Sequence, residues 1–407
     1  MSRRRIDANS DWEHNEEIQI FREYLRIPSV QPDVDYTPCV EFLKKQANSL
    51  DLPVEVYHPG GPNKPIVILT WLGRKPELPT IMLNSHMDVV PVSAEKWSHP
   101  PFAAEMDEDG RIFARGAQDM KCVGMQYLGA IRALKKKGIT LKRTVHVTFV
   151  PDEEISGKLG MKCFVQTEQF QNLNVGFCLD EGVANPKDEY LIFNAEKTIW
   201  YVKFIINGTT GHGSMLHKNT AAEKFHFILG KMLGLRQKAE SALKDDQTLG
   251  LGYVTTVNLT VVKGGIQNNV LPPVIEATFD LRLAVDEDLV GLEKQLRNWC
   301  KDAGGDINIE FPTKDEKIPP TLLNDTNTFW IAMKKTLEKL DVKFHTDVLP
   351  GVTDNRYVRK LNIPALGFSP MINTPILLHN HDEYLGADTY LKGIEIYEYI
   401  VPALANS

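Results

Sequence analysis

The chain has 407 residues, too many for one ordinary core, so two domains are expected. Hydrophobic residues make up 43% and charged residues 24%, the balance of a globular chain rather than a disordered one. A formal net charge of -7 argues against a nucleic-acid partner, which requires basic surface to neutralise phosphates.

The N-terminus, MSRRRIDANSDWEHNEE, carries three arginines but no apolar stretch, so it does not read as a secretory signal. No apolar run approaches the length needed to span a bilayer, and no membrane partner is expected. Residues 15–28 place Ile18, Phe21 and Leu25 at helical spacing. PIVILTWLG near 65 reads as a buried strand and IMLNSHMD, from 81, as the next. A helix is predicted over 116–138, with Val123, Tyr127, Ile131 and Leu134 on one face and Gly138 as its stop. RTVHVTFVPDEE and VGFCLDEG return to strand. Alternating strands and helices predict an α/β domain with a mostly parallel sheet covered by helices. Such sheets bind ligands at the C-terminal ends of their strands.

From about 194 to 311 the pattern changes to strand, long helix, two strands, helix, strand. That βαββαβ order predicts a smaller α+β, ferredoxin-like unit inserted into the larger one. Thr220 and Glu223 fit a capping box ahead of its first helix. Residues 312–407 then resume the α/β style, with a helix near 325–340, a strand at IPALGFS and a final helix from about 388. The expected division is therefore 1–193 plus 312–407 for the larger domain and 194–311 for the insertion. Five cysteines, at 39, 122, 163, 178 and 300, form no CxxC pair and read as thiols of a reduced, cytoplasmic protein.

Polar residues gather at the predicted ends of elements in the larger domain. They are His86 and Asp88; Asp119; Asp152, Glu153 and Glu154; Asp180 and Glu181; and His379 with His381. Each alone is more often structural than functional. Together they crowd acids at a strand-end crevice, where mutual repulsion raises their pKa values unless cations are present. Imidazole with carboxylate suits zinc, or less selectively cobalt or manganese. Two histidines and three acids exceed one tetrahedral ion but suit a pair bridged by a carboxylate, at a typical separation of roughly 3.5–4 Å. Glu153 then remains for proton transfer if Glu154 is a ligand. Spacing leaves Asp180 against Glu181, and His379 against His381, undecided.

The stretches NSHMDVVP, WSHPPF, ARGAQDMKC, FVPDEE, LDEGVANP, TDNRYVR, ALGFSPM and LLHNHDEYL resemble the dinuclear-zinc amidohydrolases of the M20 type, nearly end to end. The resemblance implies two Zn2+ per subunit, held by His86, Asp119, Glu154, Glu181 and His379, with Asp119 as the bridge. It makes Glu153 the general base and Asp88 the acid that orients His86. It makes the inserted unit a lid and dimerisation domain, and the protein a homodimer. From that unit His212, in TTGHGS, reaches a neighbouring subunit's site to stabilise an oxyanion, and Asn269 and Arg282 bind substrate. Arg356, partnered by Asp354, lies near a substrate carboxylate, which its planar fork suits. The implied activity is hydrolysis of N-acyl-L-amino acids, small molecules, to a carboxylate and a free L-amino acid. A dipeptidase or carboxypeptidase on the same scaffold is the nearest rival, and a non-catalytic metal-binding dimer a remoter one.

Overall fold

The structure, a computed structural model, describes residues 11–407; the basic N-terminal cluster lies outside the described residues. The chain divides into two compact units. Unit 1 takes the residues up to Asn194 together with Thr321–Thr346 and Thr353–Ser407; unit 2 takes Ala195–Pro320 and Asp347–Val352.

Unit 1 is built on an eight-stranded sheet, in the order Val54–Tyr57, Ile66–Trp71, Val145–Val150, Thr80–His86, Val175–Asp180, Ala365–Phe368, Tyr190–Glu196, Phe344–Leu349. Every residue of Thr80–His86 and of Val145–Val150 is buried. Strands apolar on both faces need cover on both. On one face lies the helix Lys121–Lys136, buried almost all round, packed against Glu16–Leu25 and Ala387–Asn406. A second cluster, including Met82, Val150, Phe164 and Val358, fills the other face. The predicted α/β class is present: the four central strands pair parallel, and the bonds Tyr190 N to Lys343 O and Lys197 N to Leu349 O align Phe344–Leu349 parallel with Tyr190–Glu196. Val54–Tyr57 with Ile66–Trp71, Ile66–Trp71 with Val145–Val150, and Tyr190–Glu196 with Ala365–Phe368 pair antiparallel. The links at 58–65 and 181–189 contain no helix, and a chain reversal that short cannot form the crossover a parallel pair requires.

Unit 2 is an antiparallel sheet in the order Thr256–Gly264, Val274–Leu283, Thr198–Asn207, Ile307–Lys314, with helices Ala221–Asp245 and Leu289–Asp302. Alternation along Thr198–Asn207 turns Trp200, Val202, Phe204 and Ile206 into a core with Ile228, Met232, Leu292 and Leu296. The predicted βαββαβ order is observed, and the Thr220–Glu223 capping box is formed in both directions. No described helix is long and apolar enough to cross a membrane.

Candidate metal centre

Three parallel strands end side by side. His86 is opposite Val150, and Leu83 is opposite Leu179, so the residues that follow Val150 and Leu179 emerge beside His86. The polar residues scattered through the sequence therefore collect at one strand-end edge, with His379 brought in by the loop after Ala365–Phe368.

Two groups form there, His86–Asp119–Glu181 and Asp119–Glu154–His379, each with its candidate ligand atoms within 4.8 Å of one another. Asp119 belongs to both. Its Oδ1 lies 3.0 Å from His86 Nε2, and its Oδ2 lies 3.2 Å from His379 Nε2. Glu181 Oε2 is 3.7 Å from His86 Nε2, and Glu154 Oε2 is 3.1 Å from His379 Nε2. Ligand atoms about 2.0 Å from a tetrahedral ion stand roughly 3.3 Å apart, so these separations match two such polyhedra sharing one carboxylate.

The electrostatics point the same way. Burial, and then the charge of Glu181, push the Glu153 carboxyl well above its ordinary range. Burial and the neighbouring Asp119 do the same to Glu181, and raise Glu154 to about 7. The hydrogen bonds to Asp119 and Glu154 raise the His379 imidazole to about 10. Burial works against charging His86, but the Glu181 charge and the Asp119 contact overcome it and leave that imidazole raised as well. The shifts favour the protonated forms of the three glutamates and both imidazoles, while the hydrogen bonds to His379 and His86 hold the Asp119 carboxyl below its ordinary range. Glu154 Oε1 is buried without a hydrogen-bond partner, a lone pair with nothing to receive it. Nitrogen and oxygen donors, crowded and partly orphaned, fit divalent metal ions.

Asp180, left open by the spacing, joins neither group, and its Oδ1 accepts from Asn84 Nδ2 and from the main-chain N–H of Glu181. His379 sits in a turn with φ 62°, not on a strand, and His381 joins neither group. Asp119 precedes its helix: the predicted 116–138 helix begins only at Lys121. The reason is Glu383, whose carboxylate takes the N–H groups of Gly116, Gln118 and Asp119 and holds that segment out of helical geometry.

Asp88 meets His86 through its main chain rather than through a carboxylate hydrogen bond. Its carboxylate Oδ1 is 3.8 Å from His86 Nδ1, beyond hydrogen-bond range, and the imidazole bonds the Asp88 carbonyl oxygen at 2.8 Å. The carboxylate is occupied instead by the main-chain N–H groups of Glu153 and Glu154, each at 3.2 Å, and by Gln31 Nε2 at 2.7 Å. Those bonds fix the turn Glu153–Ile155, which Asp152 enters at φ 66° and Ser156 leaves at φ 83°. Asp152 in turn accepts from Gln31, Tyr36 and Lys64. Gly157 follows at φ 59°, where a Cβ would come within 2.5 Å of Asp354 Oδ1, so glycine is required there.

Arg356 and Asp354 are both buried in unit 1. Arg356 Nη2 donates to the Ser156 carbonyl at 2.8 Å and faces the Tyr357 ring. Burial, then the Asp180 charge, raise the Asp354 carboxyl against the pull of Arg356. His212, Asn269 and Arg282 lie on unit 2. His212 and Asn269 adjoin on a short ribbon, Gly211–His212 with Val270–Leu271, where Gly213 N donates to Asn269 O. His212 is exposed, its Nδ1 2.7 Å from Ser214 Oγ. Arg282 is engaged by both oxygens of Asp280.

Residues 82–403 match the family model described as Peptidase family M20/M25/M40. Human Aminoacylase-1 is 45% identical over 397 residues, covering 97% of this chain and 96% of that protein. Among solved structures, an M20 family metallo-carboxypeptidase from Sulfolobus solfataricus superposes with TM-score 0.72 at 20% identity, over 96% of this chain and 99% of that one. A dinuclear metal binding peptidase of the M20 family from Bacillus subtilis gives 0.69 at 17%, over 96% and 97%.

Proposed function

The chain belongs to peptidase family M20/M25/M40, and on that premise we propose that it hydrolyses N-acyl-L-amino acids to a carboxylate and a free L-amino acid at the two groups joined by Asp119. The observation that carries the reading is the placement of Asp119, one oxygen toward each imidazole, with the main chain of Glu153 bonded to Asp88 and its carboxyl within the field of Glu181 and His86. Identity to human Aminoacylase-1 along nearly the whole chain favours an acylase over a peptidase on the same scaffold.

We assign two Zn2+ to the site, one to His86, Asp119 and Glu181 and one to Asp119, Glu154 and His379; likeness to the Bacillus subtilis protein, a dinuclear metal binding peptidase, supports the number. Bound there, the ions would polarise the acyl carbonyl and acidify a water. The residues supply the rest. Glu153, its pKa raised, takes the proton of the attacking water and delivers it to the leaving amine. Asp88 holds the Glu153 and Glu154 amides so that base and ligand keep their relative position. Asn269, Arg282 and Arg356 are assigned to the substrate, with Asp354 beside Arg356. His212 donates to the oxyanion in a neighbouring subunit of a homodimer, with unit 2 as lid and dimerisation domain. A cytoplasmic location agrees with five free cysteines.

The test is a panel of N-acetyl amino acids set against unblocked dipeptides, on zinc-loaded protein. Turnover of the acylated compounds alone supports the acylase. Preference for free dipeptides would make the protein a peptidase.

A further inference from the structure

Two loops bring ligands to the Asp119 centre from opposite ends of the chain. One, Arg115–Met120, delivers Asp119. The other, Pro375–Glu383, delivers His379. Neither lies on a strand or helix that would fix it. Asp119 and His379 must nonetheless keep their nitrogen and oxygen atoms within a few tenths of an ångström to share an ion.

A dense set of bonds joins the two loops. Glu383, fully buried, accepts from Gln118 N at 2.7 Å, from Asp119 N at 3.2 Å and from Gly116 N at 3.2 Å. The same carboxylate pairs with Arg115 Nη1 at 2.7 Å. Arg115, itself 2% exposed, reaches on to the carbonyl oxygens of Asn380 and His379, at 3.1 and 3.2 Å. Its guanidinium also stacks on the Trp97 ring. Gln118 closes the frame: Nε2 donates to Pro375 O and Tyr384 O, and Oε1 accepts from Leu377 N. Acid and base thus run crosswise. The acid comes from the loop bearing His379 and grips the amides around Asp119, and the base comes from the loop bearing Asp119 and grips the carbonyls at His379.

We propose that Arg115 and Glu383 are positioning residues that lock Asp119 and His379 into register, so that the half-site they share with Glu154 is assembled before any ion arrives. The inference rests on reading Asp119 and His379 as ligands. A bond to the His379 carbonyl matters because His379 is the most exposed member of the groups, with side-chain exposure of 54% and a left-handed backbone. Packing alone does not hold it.

A buried ion pair cut on one side leaves an unpaired charge and can unfold the protein. The double variant Arg115→Met/Glu383→Gln removes both charges together, so that neither is left unpaired, and is the form to measure. Metal-stripped protein is titrated with Zn2+ by calorimetry, and with Co2+ by its visible absorption, which reports coordination. The expected result for the double variant is a folded protein, judged by circular dichroism, whose ion at Asp119, Glu154 and His379 binds 10- to 100-fold less tightly and whose Co2+ spectrum changes from the wild type. kcat should fall with KM nearly unchanged. A folded double variant that binds both ions with wild-type affinity and spectrum overturns the proposal. Asp119→Ala serves as the control on the underlying reading. If it leaves binding intact, the ligand assignment has failed rather than the positioning role.

Discussion

Asp88→Asn isolates the bond set that aims Glu153. Asp88 is fully buried, and its two oxygens face only donors: Glu153 N on Oδ1, and Glu154 N with Gln31 Nε2 on Oδ2. An amide must turn its NH2 toward one side. The better orientation keeps the oxygen on the side with two donors and strands the Glu153 N–H. A hydrogen bond to a charged acceptor contributes ~1.5–3 kcal/mol, and an orphaned buried amide costs ~1–3 kcal/mol. Relief from burying the Asp88 charge offsets part of this, leaving a net loss of about 2 kcal/mol. Asp88→Ala orphans the Glu153 and Glu154 amides, while Gln31 keeps its bond to Asp152, and should lose on the order of 4 kcal/mol. Urea unfolding of the metal-free protein measures both, at unchanged slope. Because the stranded group is the amide of the proposed base, kcat on N-acetyl-methionine should also fall, roughly 100-fold for a misplacement near 1 Å. An Asp88→Asn protein with wild-type midpoint and wild-type kcat would refute the reasoning.

Glu153→Gln should lower kcat by a factor of roughly 10²–10⁴ while metal content, measured by emission spectroscopy, stays at the wild-type level. Lys64→Met leaves the Asp152 carboxylate buried without its cation and should cost about 2–3 kcal/mol in urea unfolding, below the full buried-pair value because Lys64 keeps some solvent contact. The chelated protein should lose stability as pH rises. Glu154 has a folded pKa of about 7, above its unfolded value, so its ionisation penalises the native state progressively from about pH 4.5 to 7. His379, raised to about 10, stabilises fully below about pH 6.5, and that contribution fades between there and pH 10. Melting curves from pH 5 to 9 with chelator should therefore decline, and added Zn2+ should restore the alkaline end; a rising profile would contradict the assigned shifts.

Much of the fold is legible in the sequence because its signals are local. Alternation along Thr198–Asn207 and the capping box at Thr220 depend on neighbours in the chain, and both are present in the fold. The antiparallel flanks of the large sheet are hidden because strand composition does not encode direction; only the absence of a helix at 58–65 and 181–189 carries it. The site residues are visible as chemistry at strand ends, but their contacts are not. The resemblance reads Asp88 as the acid that orients His86, and only the folded turn at 152–156 reveals the amides bonded to its carboxylate. Arg115 and Glu383 stand inside the motifs ARGAQDMKC and LLHNHDEYL without a role there, since the bond between them spans 268 residues. Lys64 and Gln31 carry no signal at all, because a lone lysine or glutamine in a loop is ordinary until Asp152 is seen beside it.

Anomalous diffraction at the zinc edge, on crystals of the metal-loaded protein, tests the paired site most directly. Two peaks roughly 3.5–4 Å apart, on either side of the Asp119 carboxylate and within bonding distance of His86 and His379 respectively, are the predicted result. A single peak that Asp119 does not touch, or none among these side chains, would contradict it.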